Sequence, residues 1–255
     1  MQLIQMKRLF TLCLLLAFSL NSQAATVLVA VASNFTKPMN EIAEAFTKAT
    51  GHEASLSFGS SGKFVAQIEN DAPFEVFLSA DEMNTKKLEE SGKGFANTRF
   101  TYAIGKLVLW SAKAGVVDEQ GKVLSKGGFK HLALADPKLA PYGLAAEEIL
   151  KNLGLLDKLK PAFVLGENIS QTQQFISTGN AELGFIALSQ VIGKDGKIGE
   201  GSGWIVPDTL HSPIKQDVIL LKKGEPNPAA QALLAFLKSP EALVIIKKFG
   251  YNVPE

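Results

Sequence analysis

Residues 52–69 read HEASLSFGSSGKFVAQIE, and this stretch decides the fold. Apolar residues alternate with polar ones over residues 54–58, as in a β-strand, and then recur at helical spacing over residues 64–68. The loop GSSG, residues 59–62, lies between the two patterns and opens the helix. Its hydroxyls and backbone amides can bind an anion, and a serine there also suits an ordinary helix cap. The loop by itself leaves both interpretations open.

The same strand, turn and helix pattern occurs on both sides of this stretch. The run Thr26–Ala32 is continuously apolar, as in a strand buried on both faces, and it leads through Ser33-Asn34 into a helix. A third strand is predicted at Glu75–Ser79, before a helix that begins near Asp81. Three such units in succession predict an α/β fold with a mainly parallel sheet.

A second group of strands indicates a second lobe of the same kind. These strands are predicted at Lys106–Trp110, His131–Ala135, Ala162–Leu165 and Leu183–Leu188. The final part of the chain offers one strand and two helices, too little for a domain of its own, so we expect it to complete the first lobe. We therefore predict a first lobe of residues 25–103 with 208–255 and a second lobe of residues 104–207. Crossings near residues 102–105 and 205–209 would leave a cleft between them.

The N-terminus has the features of a signal peptide. Lys7-Arg8 is followed by an apolar stretch over residues 9–20 and by the small-x-small sequence Ser22-Gln23-Ala24. We predict residues 1–24 to be a signal peptide cleaved near Ala24, which directs the protein to the periplasm. A membrane anchor is the alternative, but the apolar stretch is short for a spanning helix.

The predicted mature chain is nearly neutral and has no cysteine, because Cys13 lies in the signal peptide. Without Lys7 and Arg8, 24 basic residues stand against 25 acidic ones, a net charge of −1. This balance argues against nucleic acid as a partner. Arg99 is then the only arginine, so any bound anion would be held by neutral dipoles. The three histidines are isolated, without carboxylates or cysteines at metal-ligand spacing.

Four turns share one chemistry: each follows a predicted strand, opens a helix and carries hydroxyl or amide groups or a glycine. They are Ser33-Asn34, Ser60-Ser61, Pro141-Tyr142-Gly143 and Asn168-Ile169-Ser170. Ligands of open α/β sheets bind at this edge. Since two turns fall in each predicted lobe, a cleft lined by four helix N-termini would have a positive potential without formal charges.

These motifs resemble those of periplasmic molybdate-binding proteins, the substrate-binding components of molybdate ABC importers. The matching motifs are Ala32-Ser33-Asn34, Phe58-Gly59-Ser60-Ser61, DAPFEVFLSAD at 71–81, ADP at 135–137 with PYG at 141–143, and LGF at 183–185. The resemblance implies a type II periplasmic binding protein fold that closes on molybdate or tungstate. It further implies a monomer that is not an enzyme, needs no cofactor and delivers its ligand to a membrane permease.

The resemblance also implies a ligand-binding set. An oxyanion would contact Ser33 through its hydroxyl and amide, Ser61, and the backbone N–H groups of Tyr142 and Ile169. In some members of the family the neighbouring residue, here Asn34, also contacts the anion. These residues bind the metal only as its oxyanion, so no direct metal ligand is implied.

One position departs from the family pattern. Ala187 stands where some members place a tyrosine whose hydroxyl reaches the anion, and Tyr142 stands where those members have a small residue. We hypothesise that the Tyr142 hydroxyl supplies the missing donor from the opposite side of the ligand.

Two other functions fit part of the sequence. Sulfate or another tetrahedral oxyanion could use the same neutral donors. An exported serine hydrolase could use Ser60 or Ser61, but GSSG differs from the G-x-S-x-G nucleophile turn, and no histidine is visibly paired with an acid.

Overall fold

The computed structural model describes residues 24–193 and 195–254, so residues 1–23 of the predicted signal peptide lie outside the described residues. The strands are β1 Thr26–Ala32, β2 Glu53–Gly59, β3 Val76–Leu78, β4 Phe100–Gly105, β5 Leu107–Ser111, β6 Leu132–Ala135, β7 Phe163–Gly166, β8 Leu183–Ala187, β9 Ser202–Ile205 and β10 Ile214–Leu220. The α-helices are α1 Thr36–Thr50, α2 Ser61–Glu69, α3 Met83–Glu90, α4 Val123–Lys126, α5 Pro141–Asn152, α6 Leu156–Leu159, α7 Ile169–Ser177, α8 Leu188–Val191, α9 Pro228–Phe236 and α10 Pro240–Lys248.

The strands form two five-stranded sheets with the same pattern of directions. The first has the order β2-β1-β3-β10-β4, and the second has the order β7-β6-β8-β5-β9. In the first sheet β10 is antiparallel to both neighbours, and in the second β5 is antiparallel to both neighbours. The other pairings are parallel, so each sheet has one reversed strand. The α/β fold with two mainly parallel sheets flanked by helices is confirmed.

Two strands were missed by the sequence patterns, β4 and β9. Strand β4 pairs with β10, and β9 pairs with β5 at the edge of the second sheet. Both segments contain glycine and polar residues and lack the continuous apolar run of a central strand. Strand β4 extends to Gly105, two residues beyond the predicted lobe boundary at residue 103. Only Lys106 then separates β4 from β5 of the other sheet.

The first sheet is covered by helices from both ends of the chain. Met39, Ile42 and Phe46 recur on one face of α1 and are fully buried, together with Leu233 of α9 and Ile246 of α10. Among the described residues, no single helix is long and apolar enough to cross a membrane. Helices α9 and α10 reach that length and hydropathy only together, and they are bent by 63° relative to each other.

The second sheet has its own core. Leu132, Leu134 and Phe185 on β6 and β8 are fully buried and pack with Ile149 of α5. Burial on both faces explains why these strands read as continuous apolar runs. The polar turns directly follow the ends of these packed strands, so the strand ends position the turns.

Candidate functional site

The four polar turns meet at one pocket between the two sheets. A 3₁₀ turn, Ser33–Phe35, follows β1 and leads into α1, and helices α2, α5 and α7 begin at the other three turns. The pocket is small, because the centre of a water-sized sphere can occupy only about 10 Å³ of it, roughly the space for one water molecule. Its lining consists of Ala32, Ser33, Asn34, Gly59, Ser60, Ser61, Ala80, Ala140, Pro141, Tyr142, Asn168 and Ile169. All five predicted ligand-binding residues are in this set, and all five are buried.

The lining is uncharged. Of the described residues that surround the pocket, none is Asp, Glu, Lys, Arg or His. Lys63, one turn into α2, pairs instead with Glu167 at 2.6 Å, and both side chains are half-exposed. Lys63 is in α2 beside the first sheet, and Glu167 lies in the turn between β7 and α7 of the second sheet, so this ion pair joins the two sides of the pocket at its rim. The potential inside the pocket therefore comes from helix N-termini and polar groups.

Glycines allow the helix starts to approach other backbone closely. A Cβ at Gly143 in α5 would overlap the carbonyl oxygen of Ala135. Gly62 in α2 donates its N–H to the carbonyl oxygen of Leu139 at 3.0 Å, and a Cβ at Gly62 would lie 3.0 Å from the same oxygen. Larger residues at these two positions would move the helix starts away from their neighbours.

Ser61 is oriented by a backbone amide. Its Oγ accepts a hydrogen bond from the N–H of Ala80 at 3.0 Å, across from the end of β3. A hydroxyl that accepts one hydrogen bond still has its own proton to donate. Ser61 can therefore act as a donor to an anion in the pocket while its oxygen stays fixed.

Ile169 contributes its backbone amide at the start of α7. Asn168 caps this helix, because its Oδ1 accepts from the N–H groups of Ser170 at 3.0 Å and Gln171 at 3.1 Å. The carbonyl of Asn168 accepts from Thr172. The Ile169 N–H is the amide of the first turn that this cap does not use. The Ile169 side chain is core, packed in the second-sheet cluster.

Ser33 makes long hydrogen bonds across the pocket. Its Oγ donates to Oδ1 of Asn168 at 3.3 Å, and Ser170 Oγ donates to the carbonyl oxygen of Ser33 at 3.3 Å. Hydrogen bonds between hydroxyls and oxygens are usually 2.5–3.0 Å long, so both of these are weak. The Ser33 hydroxyl is thus free to exchange Asn168 for a better acceptor.

The side-chain amide of Asn34 has no proton left to donate to a ligand. Both Nδ2 protons are used, by Oε1 of Gln216 at 2.8 Å and by the hydroxyl of Tyr251 at 2.9 Å. The carbonyl of Asn34 accepts from Ser189 Oγ at 2.8 Å and from the same tyrosine at 2.9 Å. The donor that Asn34 presents to the pocket is therefore its backbone N–H.

The Tyr142 hydroxyl lies against the strands that connect the sheets. It accepts a hydrogen bond from Nε2 of Gln216 at 3.1 Å, and a Cβ at Gly105 would overlap it. As an acceptor it still has its own proton, and Tyr251 is a hydrogen-bonding neighbour for that proton. Ala187, at the end of β8, is fully buried, and its N–H donates to Oε1 of Gln190 at 2.9 Å. The idea that the Tyr142 hydroxyl replaces a donor missing at Ala187 stays a prediction.

All three tyrosines of the chain meet behind the pocket. The hydroxyl of Tyr102 lies 3.1 Å from Oε1 of Gln216, and the hydroxyl of Tyr251 bonds to Asn34. Burial raises the pKa of Tyr251 to about 12 and raises the pKa values of Tyr102 and Tyr142 well above their usual range. The three phenols therefore stay neutral and keep their protons for hydrogen bonding.

Sequence reasoning predicted Tyr142 but missed Gln216, Tyr102 and Tyr251 in this layer of residues. Gln216 is the member that a pattern could have shown, because it is a polar residue that interrupts the apolar strand β10 and is fully buried. Tyr251 lies near the C-terminus, far from every motif, so no local pattern indicated it. Its contact with Asn34 joins positions 217 residues apart.

The described residues contain no cluster of three His, Cys, Asp or Glu side chains that could hold a metal ion. Among these residues no histidine lines the pocket, so neither Ser60 nor Ser61 has an imidazole base within it. The lining offers hydroxyl and amide groups of the kind that bind a small anion.

Known proteins share this architecture. The family model described as bacterial extracellular solute-binding protein matches residues 27–252. The chain is 58% identical to the molybdate-binding protein ModA of Azotobacter vinelandii over 232 residues, which cover 91% of this chain and 92% of that protein. It is 52% identical to ModA of Rhodobacter capsulatus over 240 residues, 94% of this chain and 93% of the relative.

Similarity in structure agrees with similarity in sequence. The solved structure titled Azotobacter vinelandii periplasmic molybdate-binding protein superposes with a TM-score of 0.87 at 44% identity, covering 90% of this chain and 100% of that one. The family model and both relatives span nearly all of the described residues, including the four turns around the pocket. The chain therefore belongs to the bacterial extracellular solute-binding protein family, in the group whose members are named molybdate-binding protein ModA.

Proposed function

We propose that this protein is the periplasmic substrate-binding protein of an ABC importer and captures molybdate, and also tungstate, through neutral hydrogen bonds. The observation that carries the proposal is the buried, uncharged pocket at which four helix starts converge. Amides at helix N-termini and small hydroxyls favour an anion there. The ModA relatives, named for molybdate, identify the kind of anion.

The proposed donor set follows from the hydrogen bonds around the pocket. We assign the hydroxyls of Ser33 and Ser61 and the backbone amides of Ser33, Asn34, Tyr142 and Ile169 as donors to the oxyanion. A hydrogen bond to a charged group contributes about 1.5–3 kcal/mol. Six such bonds give roughly 9–18 kcal/mol before several kcal/mol of desolvation are subtracted for each charge. A dissociation constant between about nanomolar and micromolar is consistent with that difference.

The other parts of the proposal concern the protein in the cell. Residues 1–24 act as a signal peptide cleaved near Ala24, and the mature protein is a periplasmic monomer without a cofactor or enzymatic activity. Residues 25–103 with 208–255 form one lobe and residues 104–207 the other, and the lobes close on the ligand. The partner is the membrane permease of the importer.

Titration calorimetry on the ligand-stripped mature protein tests the proposal, with molybdate, tungstate and sulfate as separate titrants. We expect tight binding of molybdate and tungstate and much weaker binding of sulfate, since sulfate is smaller and leaves donors out of reach. Equal affinity for sulfate and molybdate would favour the general oxyanion alternative. At a molybdate concentration a thousandfold above Kd, binding should add about 4 kcal/mol to the free energy of unfolding and so raise the melting temperature. Ester hydrolysis that is lost in Ser61→Ala would revive the hydrolase alternative.

A further inference from the structure

Ser60 has an unusual place in the pocket. It is the N-cap residue of α2, with φ −79° and ψ 144°, but its side chain makes no capping hydrogen bond. Ser60 is 3% exposed and lines the pocket, and its Oγ has no hydrogen-bond partner among the described residues. Buried hydroxyls without a partner are rare in folded proteins, because losing water without gaining a hydrogen bond is unfavourable.

The structure accounts for one of the two amides that could donate to this cap. A serine N-cap normally accepts from the second or third amide of its helix. In α2 the second amide belongs to Gly62, and it donates to the carbonyl oxygen of Leu139 on the other side of the pocket. The N-cap serine of α10 behaves in the ordinary way, because Ser239 Oγ accepts from the N–H of Ala242 at 3.2 Å. Ser60, which lines the pocket, thus differs from Ser239, which lies outside it.

We propose that the Ser60 hydroxyl is a further ligand donor, which gives its proton to an oxygen of the bound tetrahedral oxyanion. This inference rests on the proposed function and adds a residue to its donor set. Ser61 is held in place by Ala80, whereas the Ser60 hydroxyl has no hydrogen-bond partner among the described residues and is available to an acceptor. A tetrahedral anion has four oxygens, so two adjacent hydroxyls can each bind one of them. The bound anion would supply the partner that Ser60 lacks.

The variant Ser60→Ala separates this role from a structural one. We expect its Kd for molybdate, measured by calorimetry, to rise about 10-fold to 100-fold, the loss of one hydrogen bond to a charged acceptor. The melting temperature without ligand should stay the same or rise, because a buried hydroxyl without a partner has been removed. In Ser61→Ala the Kd for molybdate should also rise, but the melting temperature without ligand should fall, since the amide of Ala80 would lose its acceptor.

Ser239→Ala is the matched control. It removes a serine N-cap whose bond is made, so it should lower the melting temperature and leave the Kd for molybdate unchanged. A Kd for Ser60→Ala within about twofold of wild type, or a lower melting temperature without ligand, would overturn the inference but leave the proposed function intact. If wild type binds neither molybdate nor tungstate, the proposed function and the inference both fail.

Discussion

Oε1 of Gln216 accepts a hydrogen bond from Nδ2 of Asn34 at 2.8 Å, directly behind the pocket. The other end of the same amide, Nε2 of Gln216, donates to the hydroxyl of Tyr142 at 3.1 Å. Asn34 follows a strand of the first sheet, and Tyr142 is in the first turn of a helix of the second sheet. One fully buried side chain thus orients a residue from each wall of the pocket.

The variant Gln216→Leu is expected to be strongly destabilised. It would remove one hydrogen-bond partner from each of Asn34 and Tyr142 in a site with no exposure, whereas Tyr102 keeps its hydrogen bond to the carbonyl oxygen of Ser79. Each unsatisfied buried group costs about 1–3 kcal/mol. We expect the free energy of unfolding in urea to fall by roughly 2–6 kcal/mol, and molybdate affinity to fall with it.

The same substitution at exposed Gln67 provides the control. Gln67→Leu should change the unfolding free energy by no more than about 0.5 kcal/mol. A loss at Gln216 no larger than the loss at Gln67 would show that the buried network contributes little.

Asn168→Ala should weaken both a helix and the ligand site. Its Oδ1 caps two amides at the start of α7, so its loss costs about 1 kcal/mol of stability. The Ile169 N–H would also lose its orientation, and we expect at least about a tenfold rise in the Kd for molybdate. Asn227 caps α9 through the N–H of Ala229 and lies outside the pocket lining. Asn227→Ala should therefore lower the stability and leave the Kd for molybdate unchanged. If both variants changed Kd equally, the assignment of the Ile169 N–H as a ligand donor would be wrong.

Lys63→Gln should have only a small effect on binding. The Lys63–Glu167 pair bridges the pocket rim, but both side chains are 45% exposed. Exposed ion pairs contribute about 0–1 kcal/mol and are screened by salt. We expect at most about a fivefold rise in Kd at low salt, which disappears at about 1 M salt.

The control for Lys63 is Lys87→Gln, which breaks an exposed pair with Glu69 away from the pocket. This variant should leave the Kd for molybdate unchanged at every salt concentration. A hundredfold loss in Lys63→Gln that persists in high salt would mean that Lys63 contacts the anion directly.

Alkaline pH should destabilise the protein through its tyrosines. The unfolded chain loses phenolic protons near the ordinary pKa of 10, whereas burial raises the folded pKa of Tyr251 to about 12. The folded state therefore holds protons that the unfolded state has lost. The free energy of unfolding should therefore be fully retained below pH 10 and should fall as the pH rises toward about 12. The decrease should be about 1.4 kcal/mol per pH unit for each tyrosine.

Ultraviolet difference absorbance of tyrosinate measures this directly. Because all three tyrosines are buried, we expect no tyrosinate signal at pH 10 in the folded protein, and a signal that appears together with unfolding. In concentrated urea the three groups should titrate with an ordinary pKa near 10. A tyrosinate signal at pH 10 without unfolding would contradict the raised pKa values.

The strands with the clearest local patterns were the ones predicted correctly. Strand β1 was predicted with its observed limits, Thr26–Ala32, because a strand buried on both faces reads as an apolar run. Strand β9, with the sequence SGWI at the edge of the second sheet, has no such run and was missed. Edge strands gain their stability from one neighbour, which the local sequence does not show.

The sequence by itself determined the strand–turn–helix units, the polar residues at each turn and the near-neutral charge. These properties depend on neighbouring residues, because periodicity, caps and turns are local. Only the tertiary structure decided which hydroxyl and amide protons of those residues remain available to bind a ligand. It placed Gln216 and Tyr251 on the side chain of Asn34, and it left Ser60 without a partner. Hydrogen-bond pairing depends on distances between residues far apart in the chain, so only the folded arrangement of the two sheets could settle it.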